Sequence, residues 1–172
     1  ADRLKAGSTV IVDSFPQVSV LFSDTVGFTK LSASISAEEL VDLLNRTFSA
    51  FDALADKHGL EKIKTIGDAY MVVGGVPLPV ENHAERIAEM ALDMHSEIAR
   101  LNSENKIQIN IRVGIHAGPV VAGVIGVRKF SYDLWGDAVN TAARMESHGV
   151  PGLSQITEEM YNIISPTGKF DI

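Results

Sequence analysis

Apolar residues are spaced in two ways along this chain, in short unbroken runs and in longer segments with helical periodicity. Residues 18–23 (VSVLFS) form a short apolar run, which predicts a buried strand. Ser36 stands three residues before Glu39, the spacing of a capping box, and apolar residues then recur every three or four positions. This pattern predicts a long amphipathic helix up to about residue 57, which Gly59 ends.

The rest of the chain repeats these two patterns. Apolar and β-branched runs at 60–66 and 69–74 flank Gly67-Asp68 and predict a β-hairpin. The remaining predicted elements are a helix over 82–101, a second hairpin of strands 107–116 and 120–125 around Ala117-Gly118-Pro119, a strand over 129–135 and a short helix over 137–147.

The order of these elements predicts the fold class. Strand, helix, hairpin, helix, hairpin indicates an α+β sandwich with helices on one face of a mostly antiparallel sheet, and its first six elements follow the ferredoxin-like order βαββαβ. An additional C-terminal helix and strand region follows it. Since no repeat or long linker interrupts the chain, we expect one domain over residues 1–172.

The composition narrows the chemistry open to such a domain. The chain has no cysteine, so any metal must bind to oxygen or nitrogen ligands. Its net charge of −7 disfavours a nucleic-acid partner. No apolar run has the roughly 18 residues of a membrane span, and residues 1–7 lack a signal-peptide pattern. We therefore expect a soluble, cytoplasmic domain without membrane contact of its own, either free or within a larger or membrane-attached protein.

Two aspartates stand where strands of the predicted sheet end. Asp24 follows the first apolar run and Asp68 occupies the turn of the first hairpin, and these strands are neighbours in a ferredoxin-like sheet. Paired carboxylates there suit Mg²⁺, which takes its other ligands from water and phosphates. Taken alone, each aspartate is more typical of a turn or a cap than of a metal site. The turn at residues 25–29 (TVGFT) leads into a helix, where free backbone N–H groups can hold phosphate.

Three further polar residues are candidates for a site. Asn140 and Arg144 are four apart and so share one helical face. Arginine suits charge that develops on a transferred phosphoryl group, although without further context a solvent-facing polar stripe is the favoured interpretation of this pair. Arg112 lies within an apolar strand and needs a partner, either an internal carboxylate or a bound phosphate.

Four segments together resemble the class III adenylyl/guanylyl cyclase catalytic domain, in particular the homodimeric bacterial adenylyl cyclases. The segments are residues 22–29 (FSDTVGFT), 62–70 (KIKTIGDAY), 112–118 (RVGIHAG) and 132–147 (YDLWGDAVNTAARMES). The resemblance covers nearly the whole chain in the family's order. It implies cyclisation of a nucleoside triphosphate by attack of the ribose 3′-oxygen on the α-phosphorus, with pyrophosphate as the leaving group.

The resemblance also implies roles for individual residues. Asp24, Asp68 and the backbone carbonyl of Thr25 correspond to ligands of two divalent ions, Mg²⁺ or Mn²⁺, for which Ca²⁺ can substitute in a structure. The implied substrate contacts are the turn of Gly27, Phe28 and Thr29 on the β- and γ-phosphates, Arg112 on the triphosphate, Asn140 on the ribose and Arg144 in the transition state.

Lys64 and Asp133 correspond to the family's purine-selecting positions. Adenine offers an acceptor at N1 and a donor amino group at C6, so a lysine donor and an aspartate acceptor are complementary to it. Guanylyl cyclases of the family typically carry Glu and Cys there. The sequence thus predicts an adenylyl cyclase acting on ATP.

The family's active site lies between two catalytic domains. One supplies the aspartates, and the other supplies the purine-selecting pair with the Asn and Arg. Because this chain has both sets, the resemblance implies a homodimer with two equivalent sites. The family's domain normally continues with a further hairpin that carries a triphosphate-binding lysine, and on that basis we expect a C-terminal hairpin beyond residue 172.

Two other functions remain open from the sequence. One is a nucleotide-sensing domain with weak catalysis, which the full set of matched polar residues argues against. The other is a palm-type polymerase or a diguanylate cyclase. Diguanylate cyclases are expected to carry a Gly-Gly-Asp/Glu-Glu-Phe hairpin, whereas this turn reads IGDAY over residues 66–70.

Overall fold

Six strands form one sheet in the computed structural model, which describes residues 10–126 and 129–172. The strands are β1 (Val10–Val26), β2 (Glu61–Ile66), β3 (Ala69–Gly74), β4 (Asn110–Ile125), β5 (Ser131–Trp135) and β6 (Ser154–Ile156). The helices are α1 (Phe28–Ser32), α2 (Ala37–Lys57), α3 (His83–Asn105), α4 (Asp137–Ser147) and α5 (Glu158–Ile164), with a short 3-10 turn at Ser165–Thr167. The expectation for residues 1–7 lies outside the described residues.

The strand order confirms the ferredoxin-like prediction. The sheet runs β2-β3-β1-β4-β5, so β1 lies between β3 and β4, and β6 adds to β4 in parallel. All the other pairings are antiparallel. The units β1-α2-β2-β3-α3-β4 form the βαββαβ core, and the predicted additional region follows it as β5, α4, β6 and α5.

The predicted start of the first long helix is also confirmed. The Ser36 side chain accepts a hydrogen bond from the Glu39 backbone N–H at 3.1 Å and caps α2. This helix and α3 bury their apolar faces against one side of the sheet, around residues such as Leu21, Phe51 and Ile87. None of the helices among the described residues combines the length and apolar character needed to span a bilayer.

The predicted hairpin around Ala117-Gly118-Pro119 is wrong. These residues lie inside β4, which pairs with β1 on both sides of them. A bulge in β1 between Phe15 and Val18 faces this stretch, and the opposite edge of β4 changes its partner there, from β6 to β5. Proline lacks an N–H donor, and this is the part of the strand where a ladder bond can be spared.

The prediction that the helices pack on one face holds for α2 and α3 but is wrong for α4. Ala138 and Ala142 of α4 pack on the opposite face of the sheet, among residues such as Val20 and Val120. Gly114 of β4 permits this contact, since a Cβ there would stand 2.0 Å from the backbone nitrogen of Glu146. Both faces of the sheet are therefore covered, and α4 lies directly on β4.

Candidate functional site

Asp24 and Arg112 form an ion pair across the centre of the sheet. β1 extends beyond the predicted 18–23 to Val26, so Asp24 lies within the strand and directly opposite Arg112 on β4. Arg112 Nη2 donates to Asp24 Oδ2 at 2.8 Å, and Nε donates to Oδ1 at 3.2 Å. The hydrogen bond to Asp24 raises the pKa of Arg112. Arg112 thus has an internal carboxylate as its partner, one of the two alternatives left open by the sequence.

Glu146 of α4 lies against the same ion pair and was not predicted as a site residue. Its Oε1 is 3.4 Å from Arg112 Nε, and its side chain is 13% exposed. Burial, followed by the hydrogen bond and negative charge of Asp24, raises the pKa of Glu146 to about 8. The spacing of the sequence could have indicated Glu146. Ala138, Ala142 and Glu146 are four apart, so they share one helical face, and a carboxylate stands at the end of an apolar stripe.

Asp68 completes an acidic group at this end of the sheet. It sits in the turn between β2 and β3, half-buried, and its charge acts on both Arg112 and Glu146. Ser23 pairs with Tyr70, so the chain brings the turn that carries Asp68 beside Asp24. The two predicted carboxylates therefore converge at one edge of the sheet.

The donor set at this edge fits a hard divalent cation. The carboxylate oxygens of Asp24 and Asp68 are hard donors of the kind that such a cation takes, although those of Asp24 are bonded to the guanidinium of Arg112 in this structure. Across residues 10–126 and 129–172, no three His, Asp or Glu side chains are arranged to enclose a metal ion. A two-carboxylate site of this kind suits Mg²⁺ or Mn²⁺, which complete their coordination with water and substrate phosphates.

The predicted phosphate turn follows directly from the Asp24 strand. Thr25 is still paired in β1, opposite Ile111, and Gly27 adopts a φ of +90° as the residue before α1. Only glycine adopts that conformation without strain, and it lets the chain turn sharply into the helix. Phe28 and Thr29 form the first turn of α1, where backbone N–H groups have no partner within the helix.

Lys64 and Asp133 meet although they lie on the outermost strands, β2 and β5. Lys64 Nζ donates to Asp133 Oδ2 at 2.8 Å, and Asp133 Oδ1 accepts the backbone N–H of Leu134 at 2.8 Å. Three strands separate β2 from β5 in the sheet, so this contact requires a strongly curved sheet. The result is one ammonium donor beside one anchored carboxylate acceptor.

Asn140 and Arg144 share an exposed face of α4, as predicted. Arg144 Nε donates to the backbone carbonyl of Asn140 at 3.4 Å, and both side chains are exposed. Within the described part of the chain, no hydrogen bond or ion pair joins either of them to Asp24 or Asp68. One chain therefore presents two separate groups of candidate residues.

Exposed apolar side chains cluster where β1, β4 and β5 lie side by side. Val121 of β4 pairs with Trp135 of β5, and Gly123, two residues further along β4, pairs with Val12 of β1. The exposed large side chains of this apolar surface are Val12, Val121, Ile125, Phe130 and Trp135. Such a concentration is typical of a protein interface.

Comparisons with known proteins agree with the fold and the motifs. The model of the family described as the adenylate and guanylate cyclase catalytic domain matches residues 10–172. The chain is 50% identical over 162 residues to an adenylate cyclase of Mycobacterium bovis, which covers 94% of this chain and 37% of that protein. It is 46% identical over 169 residues to the guanylate cyclase soluble subunit beta-2 of Rattus norvegicus, which covers 98% of this chain and 25% of that protein.

A solved structure shows the same architecture. The adenylyl cyclase CyaB from P. aeruginosa matches with a TM-score of 0.86 and 31% identity, over 91% of this chain and 83% of that one. The chain spans about a third of the mycobacterial relative and a quarter of the rat relative. Because both adenylyl and guanylyl cyclases are among these relatives, similarity alone does not choose the purine base.

Proposed function

The chain belongs to the family of adenylate and guanylate cyclase catalytic domains, and we propose that it converts ATP to 3′,5′-cyclic AMP and pyrophosphate. The pairing of Lys64 with Asp133 carries the choice of ATP. A lysine N–H can donate to adenine N1 while the neighbouring carboxylate accepts the adenine amino group. Guanine would place its N1–H against the ammonium and its O6 against the carboxylate, leaving both polar groups unsatisfied. Mismatches of this kind discriminate by a factor on the order of 10⁴.

The chemistry follows from the charges at each position. Asp24 and Asp68, with the carbonyl of Thr25, would hold two divalent ions, which would supply an activated 3′-hydroxyl and offset charge on the phosphates. Arg112 and the turn of Gly27, Phe28 and Thr29 would bind the triphosphate.

The remaining two roles belong to the exposed face of α4. Asn140 would orient the ribose through hydrogen bonds. Arg144 would stabilise the negative charge that develops as pyrophosphate leaves, because a guanidinium donates to two phosphate oxygens at once. Both side chains are exposed in the single chain, so they are free to reach a substrate bound by another protomer.

The working unit in this proposal is a homodimer with two composite sites. Among the described residues, no hydrogen bond or ion pair joins Asn140 or Arg144 to Asp24 or Asp68, which supports their acting on a substrate held by a partner's aspartates. The apolar surface containing Val121 and Trp135 supports association with a second copy.

Substrate choice is tested with purified protein, Mn²⁺ and either ATP or GTP. We expect cyclic AMP to form with a kcat/KM at least about 100-fold above that for GTP, within the discrimination that mismatched polar groups allow. The double variant Lys64→Glu/Asp133→Cys should reverse this preference, while the Lys62→Glu variant on the same strand is the matched control. Equal turnover of ATP and GTP by the unaltered protein would refute the assignment to ATP, and no turnover of either would refute cyclase activity.

The composite site is tested by mixing two inactive variants, Asp24→Ala and Arg144→Ala. A mixed dimer has one site with both sets of residues intact, so activity should return to about a quarter of the unaltered level when chains exchange at random. Two Asp24→Ala chains mixed under the same conditions are the control. Continued inactivity, with exchange demonstrated by labelled chains, would show that each chain acts alone.

A further inference from the structure

Glu146 is an acidic residue at the candidate site that the proposed chemistry leaves without a role. It lies near the C-terminal end of α4, and its side chain is 13% exposed. Its Oε1 is buried and has no hydrogen-bond partner among the described residues. Buried polar atoms in folded proteins are nearly always hydrogen-bonded. This oxygen therefore has the capacity for a contact that the present arrangement does not make.

A hydrogen-bond donor close to Glu146 Oε1 is the Nε–H of Arg112. Nε lies 3.2 Å from Asp24 Oδ1 and 3.4 Å from Glu146 Oε1. Since Nε carries a single hydrogen, it can donate to only one of these two carboxylates at full strength. In the structure it donates to Asp24. Glu146 thus stands as an alternative acceptor for the same hydrogen.

We propose that Glu146 is a positioning residue for Arg112, which accepts its Nε–H hydrogen bond when Asp24 binds a divalent ion. The inference rests on the proposed function, because it requires Asp24 to be a metal ligand. Both Asp24 oxygens accept hydrogen bonds from Arg112, and a cation bound to them would compete with the guanidinium for their charge, which favours release of at least the longer of the two bonds. An acceptor within 3.4 Å lowers the cost of that release, since the guanidinium is not left without a partner.

The surrounding contacts keep the guanidinium in place during this exchange. Arg112 Nη1 donates to the backbone carbonyl of Ser147 at 3.3 Å, next to Glu146. The backbone of Glu146 lies directly on Gly114, two residues from Arg112 on β4. A small rotation therefore suffices to move the Nε–H between carboxylates, and Arg112 stays directed at the place where the triphosphate would bind.

The test measures Mn²⁺ binding through the electron paramagnetic resonance signal of the free ion. The full chain is titrated in the presence of 3′-deoxy-ATP, which lacks the attacking hydroxyl, so turnover plays no part. Glu146→Gln keeps an acceptor without an ionisable group, whereas Glu146→Ala removes the acceptor as well. We expect the Kd for Mn²⁺ to be about tenfold higher in Glu146→Ala than in Glu146→Gln. Thermal melts establish that each variant is folded, and Glu146→Leu replaces the alanine variant if that one is not.

The same comparison in an Arg112→Ala background separates positioning from a general structural effect. Without Arg112 there is no Nε–H to exchange, so the difference in the Kd for Mn²⁺ between Glu146→Ala and Glu146→Gln should fall to what the direct contact of Glu146 with Asp24 accounts for. A difference that stays undiminished in that background, or equal values when Arg112 is present, would overturn the role of Glu146. Asp24→Ala tests the premise, since tight Mn²⁺ binding by that variant would refute the metal site and with it this inference.

Discussion

The contact between α4 and β4 at Gly114 should be sensitive to a single methyl group. In a Gly114→Ala variant the added Cβ would stand 2.0 Å from the nitrogen of Glu146, 2.5 Å from the carbonyl carbon of Met145 and 2.7 Å from the carbonyl oxygen of Ala142. All three atoms belong to the backbone of α4, so no side-chain rotation can relieve the overlap. The helix must move away from the sheet.

The distance that α4 must move determines how much stability and how much catalytic rate should be lost. Ordinary contact with a Cβ begins at 3.4 Å, so α4 must retreat by more than about 1 Å, since a packed interior has no free volume to absorb the methyl group. Overpacking of this kind costs about 1–3 kcal/mol, and the reduced entropy of the unfolded chain offsets only about 0.5 kcal/mol of it. Because α4 carries Asn140 and Arg144, which the proposed function places on the substrate, a shift of about 1 Å should lower kcat roughly 100-fold.

Urea denaturation and the rate of cyclic nucleotide formation measure the two effects. Gly118→Ala is the matched control on the same strand, because its Cβ would meet His116 Nε2 at 3.0 Å and Ala138 Cβ at 3.2 Å, contacts that need only small adjustments. We expect that control to lose less than about 1 kcal/mol of stability. If Gly114→Ala were as stable and as active as the unaltered protein, α4 would not pack on β4 as described.

Two further predictions concern stability. Ser36→Ala removes the N-cap of α2 and should lower the free energy of unfolding by about 1 kcal/mol, whereas Ser34→Ala, whose exposed hydroxyl donates to the Leu31 carbonyl, should have little effect in the same urea titration. Burial lowers the pKa of His83 below 6.5, so its contribution to stability is fully present above pH 6.5 and is lost as the pH falls towards the folded-state pKa. Melting temperatures from pH 7 to about 5 should therefore decline less steeply for His83→Gln, and an unchanged slope would contradict this.

Local patterns in the sequence predicted the parts of the fold that depend on neighbouring residues. The Ser36 cap, the Gly67-Asp68 hairpin turn and the two long helices each follow from contacts within a few positions, and all are confirmed. The turn predicted at Pro119 is wrong. A Gly-Pro pair is typical of a turn, but the pairing of β4 with β1 keeps this segment extended. No short-range pattern contains that information, since the partner residues are about 100 positions away.

Prediction of the candidate site was limited in the same way, because its contacts join residues that are far apart in the sequence. The positions of Asp24, Asp68 and Arg112 could be predicted from the sequence, and the resemblance supplied their proposed roles. The ion pair between Asp24 and Arg112, 88 positions apart, is a product of strand register. Glu146 reaches that pair only because α4 lies on the second face of the sheet, which the order of elements did not reveal.

If Lys64 and Asp133 select the base as proposed, base selection is a property of the whole sheet. These residues lie on β2 and β5, the two ends of the path β2-β3-β1-β4-β5, and they meet only because the sheet curves. The bulge in β1, and the point on β4 where pairing with β6 gives way to pairing with β5, both lie in the strands between Lys64 and Asp133. A perturbation that flattens the central strands would separate donor from acceptor by several ångströms without altering either side chain. Reversal of base preference by exchange of these two residues therefore requires that the central strands keep their curvature.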